Sequence, residues 1–412
     1  MNKYYPWIVA ALACLILMIS NGLTITGLPI LDESIIKEFG WSRGELKFRD
    51  MITFIVAALS APLAGAFIDR YGVKLSFIIG WTILAIGYFL YSHLESLTGM
   101  YGIHVLFGFV LVFCGLNPVV IFVSQWFKEK RGAAIGIALI GSSLGGAIFP
   151  QIGNYINESL GWRFVFRIEI MIPLVLLIIT MVLIKNNATA KAANEGKSAT
   201  EGKLPQTDAS YSAAIRSRSF WCLSIIAMTT YYSVLGVQAH LFLHMRDMDF
   251  SASEAANAIT IFFIFAVIGK FIFGFMADIF NDKFVFLLNI VLMFLGTLLL
   301  ITQKPSLITA ATVCFGLGWG GVYTMIQLTA VNTFGLKSAG KILGTITVMD
   351  ALGGGLGIWL TGVLYGLNNS YDIAFFVFLA LITVALVCII YLPKRTEKTQ
   401  EVQKDFKKIQ IK

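Results

Sequence analysis

Charge is what this sequence has least of. Only 13% of its 412 residues are Asp, Glu, Lys or Arg, and 57% are hydrophobic, whereas soluble domains run to about a quarter charged. A soluble domain of this size is therefore excluded, because its surface would need more polar residues. Cysteine is sparse too. Cys14, Cys114, Cys222, Cys314 and Cys388 all fall inside apolar runs, and no two stand at CxxC spacing. They read as small core residues, not as a disulfide framework or a thiolate metal site. No nucleophile–base set and no phosphate-cradling loop is present, so neither enzymatic activity nor a cofactor is expected.

What is there is long apolar runs. Twelve of them recur, near 7–31, 50–68, 75–95, 98–126, 132–156, 164–185, 217–245, 254–280, 284–302, 305–334, 340–368 and 372–393. Most are long enough to cross a hydrocarbon core of about 30 Å. In lipid every backbone amide must be satisfied within the segment, so the runs predict helices and an all-α membrane protein. The first run is longer than a cleaved signal peptide and has little charge before it.

Lys and Arg set the orientation. They cluster at Arg70 and Lys74, at Lys128, Lys130 and Arg131, through the 186–216 connector, and in the tail after Pro393, while the loops near 94–99 and 369–372 have none. This places both termini in the cytoplasm, as an even span number requires. The net charge of +8 follows from that asymmetry, so no nucleic-acid partner is implied.

Residues 186–210, rich in Ala, Gly, Ser, Thr and Lys and free of aromatics, read as a flexible linker. It divides the chain six spans to six: an N-terminal bundle 1–185, a linker 186–216, a C-terminal bundle 217–393 and a basic tail 394–412. The halves repeat. GAFID (65–69) aligns with GFMAD (274–278) and WSRGE (41–45) with FSASE (250–254) at a shift of 209 residues; SLGG (143–146) aligns with ALGG (351–354) at a shift of 208. Parallel repeats of this kind are one transporter design, with the site at the midplane.

GAFIDRYGVK (65–74) resembles the loop signature of the major facilitator superfamily. Gly65 permits close helix approach, while Asp69 and Arg70 can bond a neighbouring helix end; with Gly274 and Asp278 they form a candidate conformational latch. EFGWSRGEL (38–46), PLAGAFIDRYG (62–72), WFKEKRGAAIGIALIGSSLGGAIFP (126–150), GWRFVF (161–166) and GLGWGGVYTMI (316–326) are similar to the monocarboxylate transporter branch, nearest to its bacterial oxalate/formate-antiporter-like group. The resemblance implies a major facilitator fold of two pseudo-symmetric six-helix bundles that carries small organic anions by alternating access, often with a proton. Leu116 and Lys270 depart from it: the group often has an aromatic at the first position and an arginine at the second.

Charges inside the apolar runs are costly and so are functional candidates. Lys270 lies deep in the eighth run, about 12 Å from the interface marked by Asp278, which argues against snorkelling as the alternative. In the family the arginine at this place binds substrate carboxylate. Asp350, about 15 Å into the eleventh run, is the candidate proton site. The place where animal members of the family carry their proton-linked aspartate is Ala266 here. Lys270 and Asp350 are expected to face each other, so that an incoming carboxylate competes for the lysine and promotes protonation of the aspartate. A purely structural ion pair is the alternative.

His240 and His244 stand one helical turn apart in the seventh run, with no third metal ligand apparent; His240 is a candidate for proton access or gating. His104 carries less information. Glu169 reads as structural. Arg49 and Asp50 open the second run at the outer surface, either as an external gate or as solvated helix-end charges. Asn117, Tyr231, Tyr232, Trp319, Tyr323 and Gln327 lie on runs that line cavities in the family, and Asn117 and Tyr323 stand beside Pro118 and Gly321.

The reading is a monomeric secondary transporter of a monocarboxylate such as lactate or pyruvate, coupled to a proton or counter-anion, in a bacterial inner membrane. Dicarboxylate or other metabolite exchange, and a transporter-like sensor without flux, are the alternatives.

Overall fold

The computed structural model describes residues 5–127, 131–184, 211–334 and 339–392. Every regular element among them is helical. Eleven helices there are long and apolar enough to span a membrane. The run expected over 50–68 lies in a further helix, α3 (Arg43–Tyr71). Most of the 186–216 connector and the tail after Leu392 lie outside the described residues.

The first span is broken. Helix α1 (Tyr5–Asn21) passes into a wider π turn (Gly22–Thr26), then a 3₁₀ turn at Leu28–Leu31 containing Pro29, then α2 (Asp32–Phe39). Gly40, at φ 70°, ends α2 in the left-handed conformation that suits glycine. Helix α3 starts at a capping box: the Glu45 amide donates to Ser42 Oγ at 3.2 Å and the Ser42 amide to the Glu45 carboxylate at 2.9 Å. Beyond it come α4 (Val73–Ser92), α5 (Leu97–Cys114), α6 (Leu116–Ser124), α7 (Arg131–Leu160), α8 (Trp162–Glu169) and α9 (Met171–Leu183). Extended backbone at Gly115 separates α5 from α6.

A short helix, α10 (Tyr211–Ile215), opens the second half. It is followed by α11 (Arg218–Asp247), α12 (Ala252–Ile279), α13 (Asp282–Ile301), α14 (Ile308–Phe334), α15 (Ala339–Asn368) and α16 (Asp372–Tyr391). Helix α12 opens with the same device as α3. The Glu254 amide donates to Ser251 Oγ at 3.2 Å and the Ser251 amide to the Glu254 carboxylate at 2.8 Å.

Packing divides the chain into two units. Unit 1 is Met1–Lys203, Val234–Ile264 and Gly354–Ala374; unit 2 is Leu204–Ser233, Phe265–Gly353 and Phe375–Lys412. The first half of the chain and the ends of α11, α12 and α15 nearest residues 247, 252 and 368 thus belong to one packed unit. We call this the Arg43 end; the charge bias predicts it to be external.

The repeat is built into the packing of each unit. In unit 1, a Cβ on Gly145 would stand 2.2 Å from the Met18 carbonyl oxygen, and one on Gly141 2.0 Å from that of Cys14, so α7 and α1 cross backbone to backbone. In unit 2, Gly353 of α15 meets the Met228 carbonyl of α11 at 2.1 Å by the same measure. Gly145 and Gly353 are equivalent glycines of the SLGG/ALGG match. Cys114 fills the space over Gly80 and donates to the Phe77 carbonyl at 3.6 Å.

Candidate functional site

Unit 2 holds most of the expected substrate residues. Lys270 lies on α12, half-buried, nine residues from the Ile279 end and so about 13 Å inside it. Its backbone is fixed by a second glycine crossing. A Cβ on Gly269 would stand 2.3 Å from the Leu317 carbonyl oxygen, and one on Gly320 would stand 2.2 Å from the Ala266 carbonyl oxygen and 2.8 Å from the Lys270 nitrogen. The crossing brings the Gly320 backbone of α14 against the Lys270 amide, with Trp319 the preceding residue. Trp319 packs edge-on against Tyr231 of α11, ring centroids 4.9 Å apart. Tyr323, one turn along α14, stands beside Gln327, and both Tyr323 and Tyr231 stand within electrostatic reach of Asp350. Asp350 is buried on α15; its Oδ1 has no hydrogen-bond partner among the described residues, and it makes no ion pair with Lys270, so the expected pairing is not formed here. Tyr232 packs on Phe378 with centroids 6.0 Å apart.

Asn117 belongs to unit 1. It is exposed, two residues past the break at Gly115 and beside Pro118. His240 is also in unit 1, fully enclosed, with Nδ1 3.0 Å from the Tyr371 hydroxyl and Nε2 2.9 Å from the Ile358 carbonyl. No group of three or more metal-ligating residues occurs among the described residues.

The Arg43 end corrects one expectation. Arg49 and Asp50 do not lie at the surface, because the capping box starts α3 seven residues before Asp50 and carries both two turns inside. Lys47, Arg49 and Asp32 are fully buried, and Asp50 is 7% exposed. Asp32 pairs with Lys47, and with Arg49 at 2.5 Å. Lys47 also donates to the Ala239 carbonyl at 2.6 Å, and Arg49 to the Tyr91 hydroxyl at 3.0 Å. Nearer the surface, Arg43 grips Asp247 through both guanidinium nitrogens, at 2.6 and 2.7 Å, donates to Tyr371 at 2.6 Å and stacks 3.8 Å over the Tyr365 ring. Arg246 pairs with Glu33 at 2.6 Å.

The sequence alone did not single out Asp32, Glu33, Arg43, Lys47, Arg246 or Asp247. The Ser-x-x-Glu signal at 42–45 was the clue that α3 begins before its apolar run. Glu169 is buried close to Tyr88, whose hydroxyl donates to the Leu23 carbonyl at 2.8 Å in the π turn.

The chain matches the family described as Major Facilitator Superfamily over residues 10–256 and 222–411. It belongs to that superfamily. Among similar proteins is the uncharacterized MFS-type transporter YhjX of Escherichia coli, 25% identical over 308 residues, 72% of this chain and 73% of the relative. Monocarboxylate transporter 13 of Bos taurus is 23% identical, covering 79% and 75%. The oxalate:formate antiporter of Oxalobacter formigenes is 22% identical, covering 90% and 87%. A bacterial homologue of the human lysosomal transporter Spinster, solved inward-facing and unoccupied, shares the fold with a TM-score of 0.67 at 18% identity over 95% of both chains.

Of this facilitator's candidate latch, Arg70 is exposed and lies 5.2 Å from the Tyr71 ring centroid. A Cβ on Gly274 would meet nothing within 4 Å. Gly65, Asp69 and Asp278 sit on helices α3 and α12, and their side chains lie outside the described set.

Proposed function

We propose that this facilitator carries a small organic anion, a monocarboxylate such as lactate or pyruvate, together with a proton by alternating access. The observation behind the reading is Lys270, a cation deep in an apolar helix and held by a glycine crossing beside Trp319. The Tyr323–Gln327 pair and Asp350 belong to the same unit. Two relatives are named for carboxylate transport, which supports the same substrate class.

In this reading Lys270 attracts the carboxylate as a point charge, without the bidentate fork of an arginine. Tyr323 and Gln327 offer hydrogen bonds, and Trp319 and Tyr231 wall the apolar body of the substrate. Asp350 takes the proton: while Lys270 is occupied by substrate, a buried carboxylate is better tolerated neutral. The membrane is a bacterial inner membrane with both termini cytoplasmic. Gly65, Asp69, Arg70, Gly274 and Asp278 act as the latch between conformations.

The test is a thermal-shift screen of wild type and Lys270→Gln with monocarboxylates, dicarboxylates, amino acids and sugars, followed by flux in liposomes. Stabilisation by a short monocarboxylate that is stronger in acid and lost in Lys270→Gln supports the reading. Equal stabilisation of both proteins by neutral or cationic solutes, with no acid active, rejects it. In liposomes, Asp350→Asn is expected to keep binding while losing acid-driven uptake. Exchange of one anion for another without proton movement is the second outcome, favoured by the antiporter relative.

A further inference from the structure

The buried charges at the Arg43 end sit outside the substrate group and are not explained by it. They form one connected set. Asp32 of α2 holds Lys47 and Arg49 of α3, and Lys47 continues to the Ala239 carbonyl of α11 at 2.6 Å. Arg49 donates to Tyr91 of α4, whose hydroxyl is 3.4 Å from His104 Nε2 on α5. His104 Nδ1 is 2.8 Å from Thr53 Oγ1 and 3.9 Å from Asp50 Oδ1. Asp50 Oδ1 is 3.6 Å from Arg49 Nε, and its Oδ2 is buried without a hydrogen-bond partner among the described residues.

With His104 neutral and Asp50 ionised, Asp32 and Asp50 balance Lys47 and Arg49, and the set carries no net charge. The hydrogen bonds fit that state. Arg49 donates to Tyr91, Tyr91 to Nε2, Nδ1–H to Thr53, and Thr53 to the Arg49 or His104 carbonyl at 3.3 or 3.2 Å. One more proton, on His104 or on the bare Asp50 oxygen, leaves an uncompensated positive charge among side chains that are buried or nearly so. Such a charge is expensive where it is dry and cheap where water reaches it. The element able to admit water is the contact Lys47 makes with α11, because breaking it exposes the ammonium and unseals the set.

We propose that Asp50 and His104 form a proton-binding site that controls the Arg43 end, separate from Asp350. Proton uptake there favours release of Lys47 from Ala239, and proton loss favours closure. The charged and titratable groups facing the pair are Asp32 from α2, Lys47 and Arg49 from α3, Tyr91 from α4 and, across Lys47, His240 from α11. Arg43, Glu33, His244, Arg246 and Asp247 lie further toward the surface. The site extends the proton-coupled reading above but involves neither Lys270 nor substrate.

The experiment places spin labels at Lys37→Cys on α2 and Leu367→Cys on α15, both exposed at this end, in the full chain with its native cysteines replaced. Distance distributions are recorded without substrate from about pH 5 to about pH 8, the range in which histidine ordinarily titrates. The long-distance population is expected to grow as pH falls, by up to about tenfold per pH unit, the limit for one proton. In Asp50→Asn and His104→Gln that dependence flattens, while His240→Gln keeps it. Wild-type populations that do not respond to pH overturn the proposal without any variant. So does an unchanged midpoint and slope in whichever of Asp50→Asn and His104→Gln folds, or flattening by His240→Gln alone. Because no substrate is present, each of these outcomes leaves the anion reading to its own test.

Discussion

Asp32 is the residue on which most buried charge depends, since it pairs with both Lys47 and Arg49 at full burial. Removing one partner of a buried pair leaves an uncompensated charge. Asp32→Ala should therefore cost about 3–5 kcal/mol in a denaturation measurement on the purified protein. Lys37→Ala, which breaks the pair with Glu33 at a lysine 70% exposed, should change stability by less than about 1 kcal/mol. The two kinds of charge differed in legibility. Lys270 and Asp350 interrupt long apolar runs, and any hydropathy reading finds them. Asp32 follows one apolar run and Lys47 precedes the next, so the same pattern passes over both, and it reads Arg49 and Asp50, which open that next run, as an external gate or as solvated helix-end charges. Their burial comes from tertiary packing of α2, α4, α5 and α11 on the first turns of α3, which no local signal carries.

At the scale of the helix, glycine sets how close two backbones come. Gly145→Leu and Gly353→Leu should each abolish folding or sharply lower the yield of monodisperse protein, because the side chain would start 2.2 and 2.1 Å from a carbonyl oxygen that cannot move without the helix. Gly366→Ala, on α15 with nothing within 4 Å of the new methyl, should instead stabilise by about 0.5–1 kcal/mol in thermal denaturation. The spans and the repeated SLGG/ALGG and WSRGE/FSASE strings were readable in the sequence, and each pair of strings marks a shared device, a crossing or a capping box. The breaks at Gly22–Thr26, at Gly115 and after Glu169 were not. Hydropathy measures whether a segment prefers lipid and is blind to whether its helix runs straight through.

Across the molecule, the end of α11 and the turn between α15 and α16 are joined to α2 and α3 by Arg43–Asp247, Arg43–Tyr371 and Arg246–Glu33. Arg43→Ala and Asp247→Ala should each favour opening of this end in the labelled protein, and the double variant should be little worse than either. The coupling should be about 1 kcal/mol, given the partial exposure of the pair. Such joints link parts far apart in sequence, so composition and periodicity do not announce them. The repeat bears on the history of the chain. Shifting the first half by 209 residues sets Lys47, Arg49, Asp50 and Asp32 opposite Ala256, Ala258, Ile259 and Leu241, while Lys270 falls back on Ala61 and, at 208, Asp350 on Ser142. The crossing glycine Gly145/Gly353 and the capping boxes occur in both copies, and these charges in only one each. The molecule thus repeats part of its framework and none of these charges: what the two halves hold in common sets how helices start and cross, and what each holds alone is where ions and protons act on it.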